Sequence, residues 1–256
     1  MSQDLTPPDA WAELRRHTPA RIALGRAGAS LPTRELLAFG AAHAQARDAV
    51  HWALDLPALL AALPPGPTLR VASRAPDRAS YLRRPDWGRR LDEPSVLRVQ
   101  AAAQPHAVDL VVVAGDGLSA LAVQRQLPLL LEALAPMLTG LQLAPWVVAT
   151  QARVALGDEI AEHLHARLVL MLVGERPGLS APDSLGAYLT HAPRVGKLDA
   201  ERNCVSNIRP EGLAPALAAT RLNWLIREAL RRRVTGIELK DDSDTALLPA
   251  GPASWP

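Results

Sequence analysis

Apolar residues arrive along this chain in two rhythms. From Thr33 a helical spacing runs through Leu36, Leu37, Phe39, Gly40, His43, Ala44, Arg47, Val50 and Leu54. Thr33 is the expected N-cap, and Glu35 stands in the first turn. A second helix is predicted from Leu118 to Met137 through Leu121, Ala122, Leu127, Leu130, Leu131, Leu134 and Met137, with Pro128 expected to kink or break it. Shorter helical patterns follow at 157–165 and, through Leu222, Leu225, Ile226, Ala229 and Leu230, at 217–232. The other rhythm is the short continuous run. Val108 to Ala114, Pro145 to Thr150 and Arg167 to Val173 are apolar on both sides of the pleat. Such strands need cover on both faces, as in parallel sheets. Weaker strand patterns stand at 68–73 and 187–192.

Leu63-Pro64-Pro65-Gly66-Pro67 is the strongest structure breaker in the chain and sets an expected boundary. Residues 1–66 are read as a small helical N-terminal domain and residues 67–256 as an α/β domain whose tail, polar and then proline-rich beyond Lys240, is expected to fray. Alternation of strands and helices predicts a Rossmann-like open, mostly parallel sheet covered by helices. Ligands of such sheets lie beyond the carboxyl ends of the strands. Here those ends are 115–119, 151–154 and 174–179.

Composition narrows the picture. Of the 256 residues, 48% are apolar but only 4% aromatic, with Phe39 the single phenylalanine, so the core must be aliphatic. Net charge is only +2, and the basic residues, nearly all arginine, are interspersed with acids, which gives no nucleic-acid stripe. The single cysteine, Cys204, excludes an internal disulfide and a cysteine-based zinc site. No apolar run is long enough to span a bilayer, and the amino terminus lacks a signal-peptide pattern. These features predict a soluble intracellular protein.

Four places carry candidate chemistry. Gly115-Asp116-Gly117-Leu118-Ser119-Ala120 follows a strand and matches a dinucleotide fingerprint in form, but Asp116 sets a carboxylate where a pyrophosphate would lie. That leaves a stand-alone nucleotide binder as the alternative reading, beside a plain tight turn capped by Ser119 or Asp116. Glu175, in Gly174-Glu175-Arg176-Pro177-Gly178, either accepts hydrogen bonds from a neutral amide ligand or pairs with Arg176 or Arg194. Val154, in Arg153-Val154-Ala155-Leu156-Gly157-Asp158, offers an apolar face or is simply core. Cys204 lies in Glu201 to Gly212, a donor-rich stretch read as an irregular gripping loop, where it is either a nucleophile in need of a base or a small apolar wall. His163 and His165, two apart, face different ways on a helix and make a poor metal pair.

Taken together, several motifs are similar to one family. They are Pro19-Ala20-Arg21-Ile22 through Gly25-Arg26-Ala27-Gly28, Arg47-Asp48-Ala49-Val50, Tyr81-Leu82-Arg83-Arg84-Pro85-Asp86-Trp87-Gly88-Arg89, Asp116-Gly117-Leu118-Ser119-Ala120, Gly174-Glu175-Arg176-Pro177-Gly178 and Asn203-Cys204-Val205-Ser206-Asn207-Ile208-Arg209. In that order the chain resembles the small subunit of adenosylcobalamin-dependent ethanolamine ammonia-lyase. The resemblance implies a subunit without a complete active site of its own. A large subunit would carry the substrate and the radical chemistry, and the two chains would close the cobalamin site between them. It implies Val154, Glu175 and Cys204 as cofactor contacts, no catalytic residue and no metal ligand on this chain, and a cytoplasmic place, inside a bacterial microcompartment where one exists. None of the seven histidines has glycine three residues on, so the Asp-x-His-x-x-Gly signature of base-off cobalamin enzymes is absent and a base-on cofactor is expected. A subunit of this kind is expected to expose apolar surface to its partner, with Tyr81 to Arg90 as the candidate patch.

Overall fold

The computed structural model describes residues 9–243. Its centre is an open sheet of six strands in the order β1-β3-β2-β4-β5-β6. The strands are β1 (Thr68–Ala72), β2 (Val108–Gly115), β3 (Trp146–Thr150), β4 (Ala166–Gly174), β5 (Leu185–His191) and β6 (Arg202–Ile208). β1, β3, β2 and β4 run parallel, while β5 and β6 are each antiparallel to the strand before them. The sheet is therefore mixed. Parallel strands need long crossovers, which the helices provide; β4 reaches β5 by a short loop and so must reverse.

Alternation along the strands splits the core in two. Leu110, Val112 and Ala114 of β2 point to one face, where they meet Val123, Leu127, Leu130 and Leu131 of α5 (Ala120–Leu134) and Leu222, Leu225 and Ile226 of α7 (Pro215–Arg232). Val111 and Val113 point to the other face and pack with Val99 of α4 (Glu93–Ala101) and Leu156 and Ile160 of α6 (Leu156–His163). β2 thus sends its crossover helix α5 to one face and β3 sends α6 to the other. Such divergence leaves a crevice at the strand ends.

Pro128 breaks nothing, for α5 runs through it uninterrupted to Leu134. Buried Leu127, Leu130 and Leu131 flank the proline and hold that turn against the sheet. A larger departure concerns residues 201–212. The supposed loop is mainly strand β6, followed by a turn at 209–212.

Before the sheet come α1 (Thr33–His51) and α2 (Leu56–Ala61), while the short α3 (Arg78–Arg83) follows β1. α2 joins the core: Leu59 is buried, with Leu54, Leu56, Leu60 and Leu63 packed around it. α1 is different. Pro32, not Thr33, stands at its N-cap, and only Ala42 and Ala49 are buried. Much of the helically spaced stripe faces outward, leaving Leu36 at 59% and Leu37 at 68% exposure, with Phe39, Leu31, Trp52 and Trp11 also exposed. No helix among the described residues is long and apolar enough to cross a membrane.

Candidate functional site

Three turns meet at the carboxyl ends of β2, β3 and β4. The first two are locked together by the Asp116 carboxylate, which accepts the backbone N–H groups of Gln151 and Ala152, both at 2.9 Å. Gln151 adopts a left-handed φ of +53°, a strained conformation for a residue with a side chain. The two carboxylate bonds stabilise it. Burial pushes the Asp116 carboxyl above the usual range, and the backbone donors oppose that shift.

The turns after β2 and β4 touch through glycine. A β-carbon at Gly117, whose φ is +58°, would collide with the carbonyl of Gly174, and one at Gly174 would collide with the carbonyl of Ser119. Leu118 donates its N–H to the Gly174 carbonyl at 2.8 Å. Ser119 caps α5 by accepting from Ala122 and donates its hydroxyl to the Pro182 carbonyl at 2.8 Å. The glycine-rich turn therefore spends its donors on its own chain. Its fingerprint reflects backbone crossing, and nothing supports the nucleotide-binding alternative. Of the two expected caps, Ser119 takes the role.

Tyr81 supports this region from below. Its buried ring lies between the guanidiniums of Arg78 and Arg153, at 4.8 and 4.7 Å from the centroid. Its hydroxyl donates to the Ala152 carbonyl at 3.1 Å. Burial, with the Asp116 charge adding to it, pushes its pKa up to about 12, so it remains a donor. Gly88 leaves room for Arg153 and the Tyr81 ring, and its carbonyl accepts from Arg153 N–H at 2.8 Å. Arg78 donates to the carbonyls of Val50 and Gly117, both at 2.7 Å. The inward half of the Tyr81 to Arg90 segment is thus a buttress, while Arg83, Arg84, Pro85 and Asp86 face solvent.

Above these supports lies a cavity of about 840 Å³. Val154 and Glu175 both line it, with Tyr188, Arg176 and Lys197 among its other walls. Cys204 borders it through Tyr188, its register partner across β5 and β6. On this side of the sheet α4 and α6 cover the parallel strands, but Cys204 stands exposed on the edge strand. The thiol is held above its ordinary pKa by partial desolvation and then by the nearby Glu175 charge, against a hydrogen bond with Tyr188 that lowers it. A thiol held protonated is a poor nucleophile, which favours the wall over the attacker.

Glu175 is more elaborately held. Its backbone N–H donates to the Ser184 carbonyl at 3.0 Å, and the Ser184 hydroxyl returns a short hydrogen bond to Oε2. Oε2 also accepts the Asn207 N–H at 3.3 Å. The carboxylate lies over Gly186, where a β-carbon would come within 2.8 Å of Oε1. The pairings first weighed for it, with Arg176 or Arg194, do not form; serine and backbone take their place.

The far wall is tied down by charge. Arg202 of β6 forks onto Asp158 of α6 with two bonds of 2.7 Å, both side chains being almost fully buried. It also donates to Thr190 at 2.9 Å and to the Lys197 carbonyl at 3.0 Å. Sequence reasoning missed Ser184, Gly186, Tyr188 and the Arg202–Asp158 pair. Tyr188 alone carried a signal, as the aromatic inside a predicted strand.

Comparison with known proteins agrees over nearly the whole chain. The profile of the ethanolamine ammonia-lyase light chain (EutC) matches residues 8–240. Ethanolamine ammonia-lyase small subunits from Xanthomonas campestris pv. campestris and Ralstonia nicotianae are 54% and 56% identical to it, over 99% and 94% of this chain and 96% and 92% of their own. That of Pseudomonas syringae pv. tomato is 53% identical over 95% of this chain and 87% of its own. With the buttressed strand-end turns in the same motifs that carry this likeness, the chain belongs to the ethanolamine ammonia-lyase small-subunit family.

Proposed function

We propose that this chain completes the adenosylcobalamin site of an ethanolamine ammonia-lyase, closing one side of it against a large subunit. The observation that carries the reading is that Val154 and Glu175 line one open cavity, with Cys204 paired across the strands to its wall residue Tyr188. A corrin is a flat, largely apolar body rimmed with neutral carboxamides. It asks for apolar and soft contacts, here Val154, Tyr188 and Cys204, and for a placed acceptor, here Glu175. The chain's residues fit such a rim. When bound, the cofactor supplies the radical that initiates loss of ammonia from ethanolamine to give acetaldehyde. This chain's residues bind and orient one edge, keep water from that edge, and leave catalysis to groups on the partner. The Asp-x-His-x-x-Gly signature is absent from this sequence, so this chain would supply no histidine in place of the benzimidazole, in keeping with a base-on cofactor.

The outward stripe of the N-terminal helical unit, residues 1–66 in our division, supports a partner. Leu31, Leu36, Leu37, Phe39 and Trp52 are too many and too exposed for an isolated chain. We assign this face, rather than Tyr81 to Arg90, to the large subunit. The remainder, 67–256 in the same division, would be the Rossmann-like part that carries the cofactor wall, the tail expected to fray lying largely outside the described residues. Complementation tests the proposal. The purified chain, mixed with the large subunit, adenosylcobalamin and ethanolamine, should produce acetaldehyde where either chain alone does not. No gain over the large subunit alone would sink it.

A further inference from the structure

We infer that Ser184 and Gly186 are positioning residues for Glu175, and that together they leave it a single free oxygen, Oε1, as acceptor for a primary carboxamide. The inference rests on the cofactor reading above and deepens it. Oε2 has two fixed donors, the Ser184 hydroxyl and the Asn207 N–H. Neither is a charged group that would compete for the whole carboxylate. Glycine at 186 lets the carboxyl group settle against the strand, since a β-carbon there would sit 2.8 Å from Oε1, 3.0 Å from Cγ and 3.2 Å from Cδ. Ser184 is itself 5% exposed and is held in place as its carbonyl accepts the Glu175 N–H. A carboxylate on a three-bond side chain ordinarily samples many rotamers. Fixed in this way it arrives with its orientation already set, which lowers the cost of binding. An acceptor with one oxygen occupied and one open suits a neutral N–H donor, whereas a guanidinium prefers both oxygens at once.

The test is titration of adenosylcobalamin into the assembled two-subunit complex without substrate, followed by visible absorbance, with kcat then measured at saturating cofactor. Loss of one orienting hydrogen bond is expected to weaken affinity about fivefold to tenfold. Ser184→Ala should do so with kcat little changed, and Ser184→Thr, which keeps the hydroxyl, should restore affinity. Gly186→Ala should weaken affinity at least as much by displacing the carboxylate, and it serves as the test should Ser184→Ala prevent assembly. The double variant Ser184→Ala/Glu175→Ala should be no weaker than Glu175→Ala alone, because Ser184 acts through Glu175. Additive losses would overturn the inference. So would wild-type affinity in both Ser184→Ala and Gly186→Ala while Glu175→Ala is impaired, an outcome that leaves the cofactor reading standing. Unchanged affinity in Glu175→Ala would remove the cofactor reading and this inference with it.

Discussion

The two faces of the sheet are held by different physics. Under α5 and α7 the contacts are almost wholly aliphatic: Leu127, Leu130, Leu131, Leu222, Leu225 and Ile226 close over Leu110, Val112, Leu170 and Leu189. The opposite face is packed only where α4 and α6 lie, and toward β5 and β6 it opens into the cavity. There the structure relies on directed bonds, from Asp116 to two backbone N–H groups, from Arg202 to Asp158, and from Ser184 to Glu175. Burial is strong but undirected, and it suits a face that only needs to stay shut. A face that must remain open and keep its shape has less apolar area to bury, and hydrogen bonds set its geometry instead.

Removing the directed bonds should therefore cost as much as removing a leucine. The largest expected effect is Asp158→Ala, which strands a buried guanidinium and should destabilise the chain by about 3–5 kcal/mol in chemical denaturation. A loss below about 1 kcal/mol would mean that Arg202 finds water or Asp199 instead. Next is Leu222→Ala on the closed face, at about 2–5 kcal/mol. It should leave cofactor affinity of the assembled complex unchanged, and a matching fall in affinity would show that the two faces are not separable. Tyr81→Phe deletes the bond to the Ala152 carbonyl and should cost about 1–3 kcal/mol, because that acceptor is left without its donor. Smallest is Cys204→Ser, within about 0.5 kcal/mol in stability for an exposed position, with a modest loss of cofactor affinity and turnover retained at saturation. Since the thiol pKa is raised, its thiolate fraction at pH 8 lies below that of free cysteine. Iodoacetamide should thus label Cys204 in the isolated chain more slowly than it labels free cysteine, and faster labelling would reopen the case for a nucleophile.

What could be read from the sequence follows the same division. β2, β3 and β4 were legible because strands buried on both faces are continuous apolar runs. α5 and α7 were legible by their stripes. β6 was not. It is an edge strand whose polar residues have private partners: Arg202 finds Asp158, Asn203 bonds Gly236 N–H at 2.9 Å and the Leu239 carbonyl at 2.7 Å, and Cys204 pairs across the strands with Tyr188. Such partners are distant in sequence, so the strand has the composition of a loop. α1 was legible as a helix, but which way its stripe faces was not, because an outward apolar face and an inward one have the same spacing. Val154, Glu175 and Cys204 stood out by their place at strand ends or in a donor-rich stretch, but each kept two readings until family likeness chose between them, since no local rule distinguishes a valine that lines a cavity from one that fills a core. Their supports, Ser184 and Gly186, carried no signal at all.

Arg78 ties two distant segments together. One guanidinium holds the carbonyl of Val50, in the helix that bears the outward apolar stripe, and the carbonyl of Gly117, in the turn beside the cavity. Any bias that docking on that helix imposes on the turn must be returned when the cavity is filled, because linkage between two binding events is reciprocal. Whatever factor subunit association adds to cofactor affinity, the cofactor adds to subunit association, and Arg78 is one side chain hydrogen-bonded to both segments.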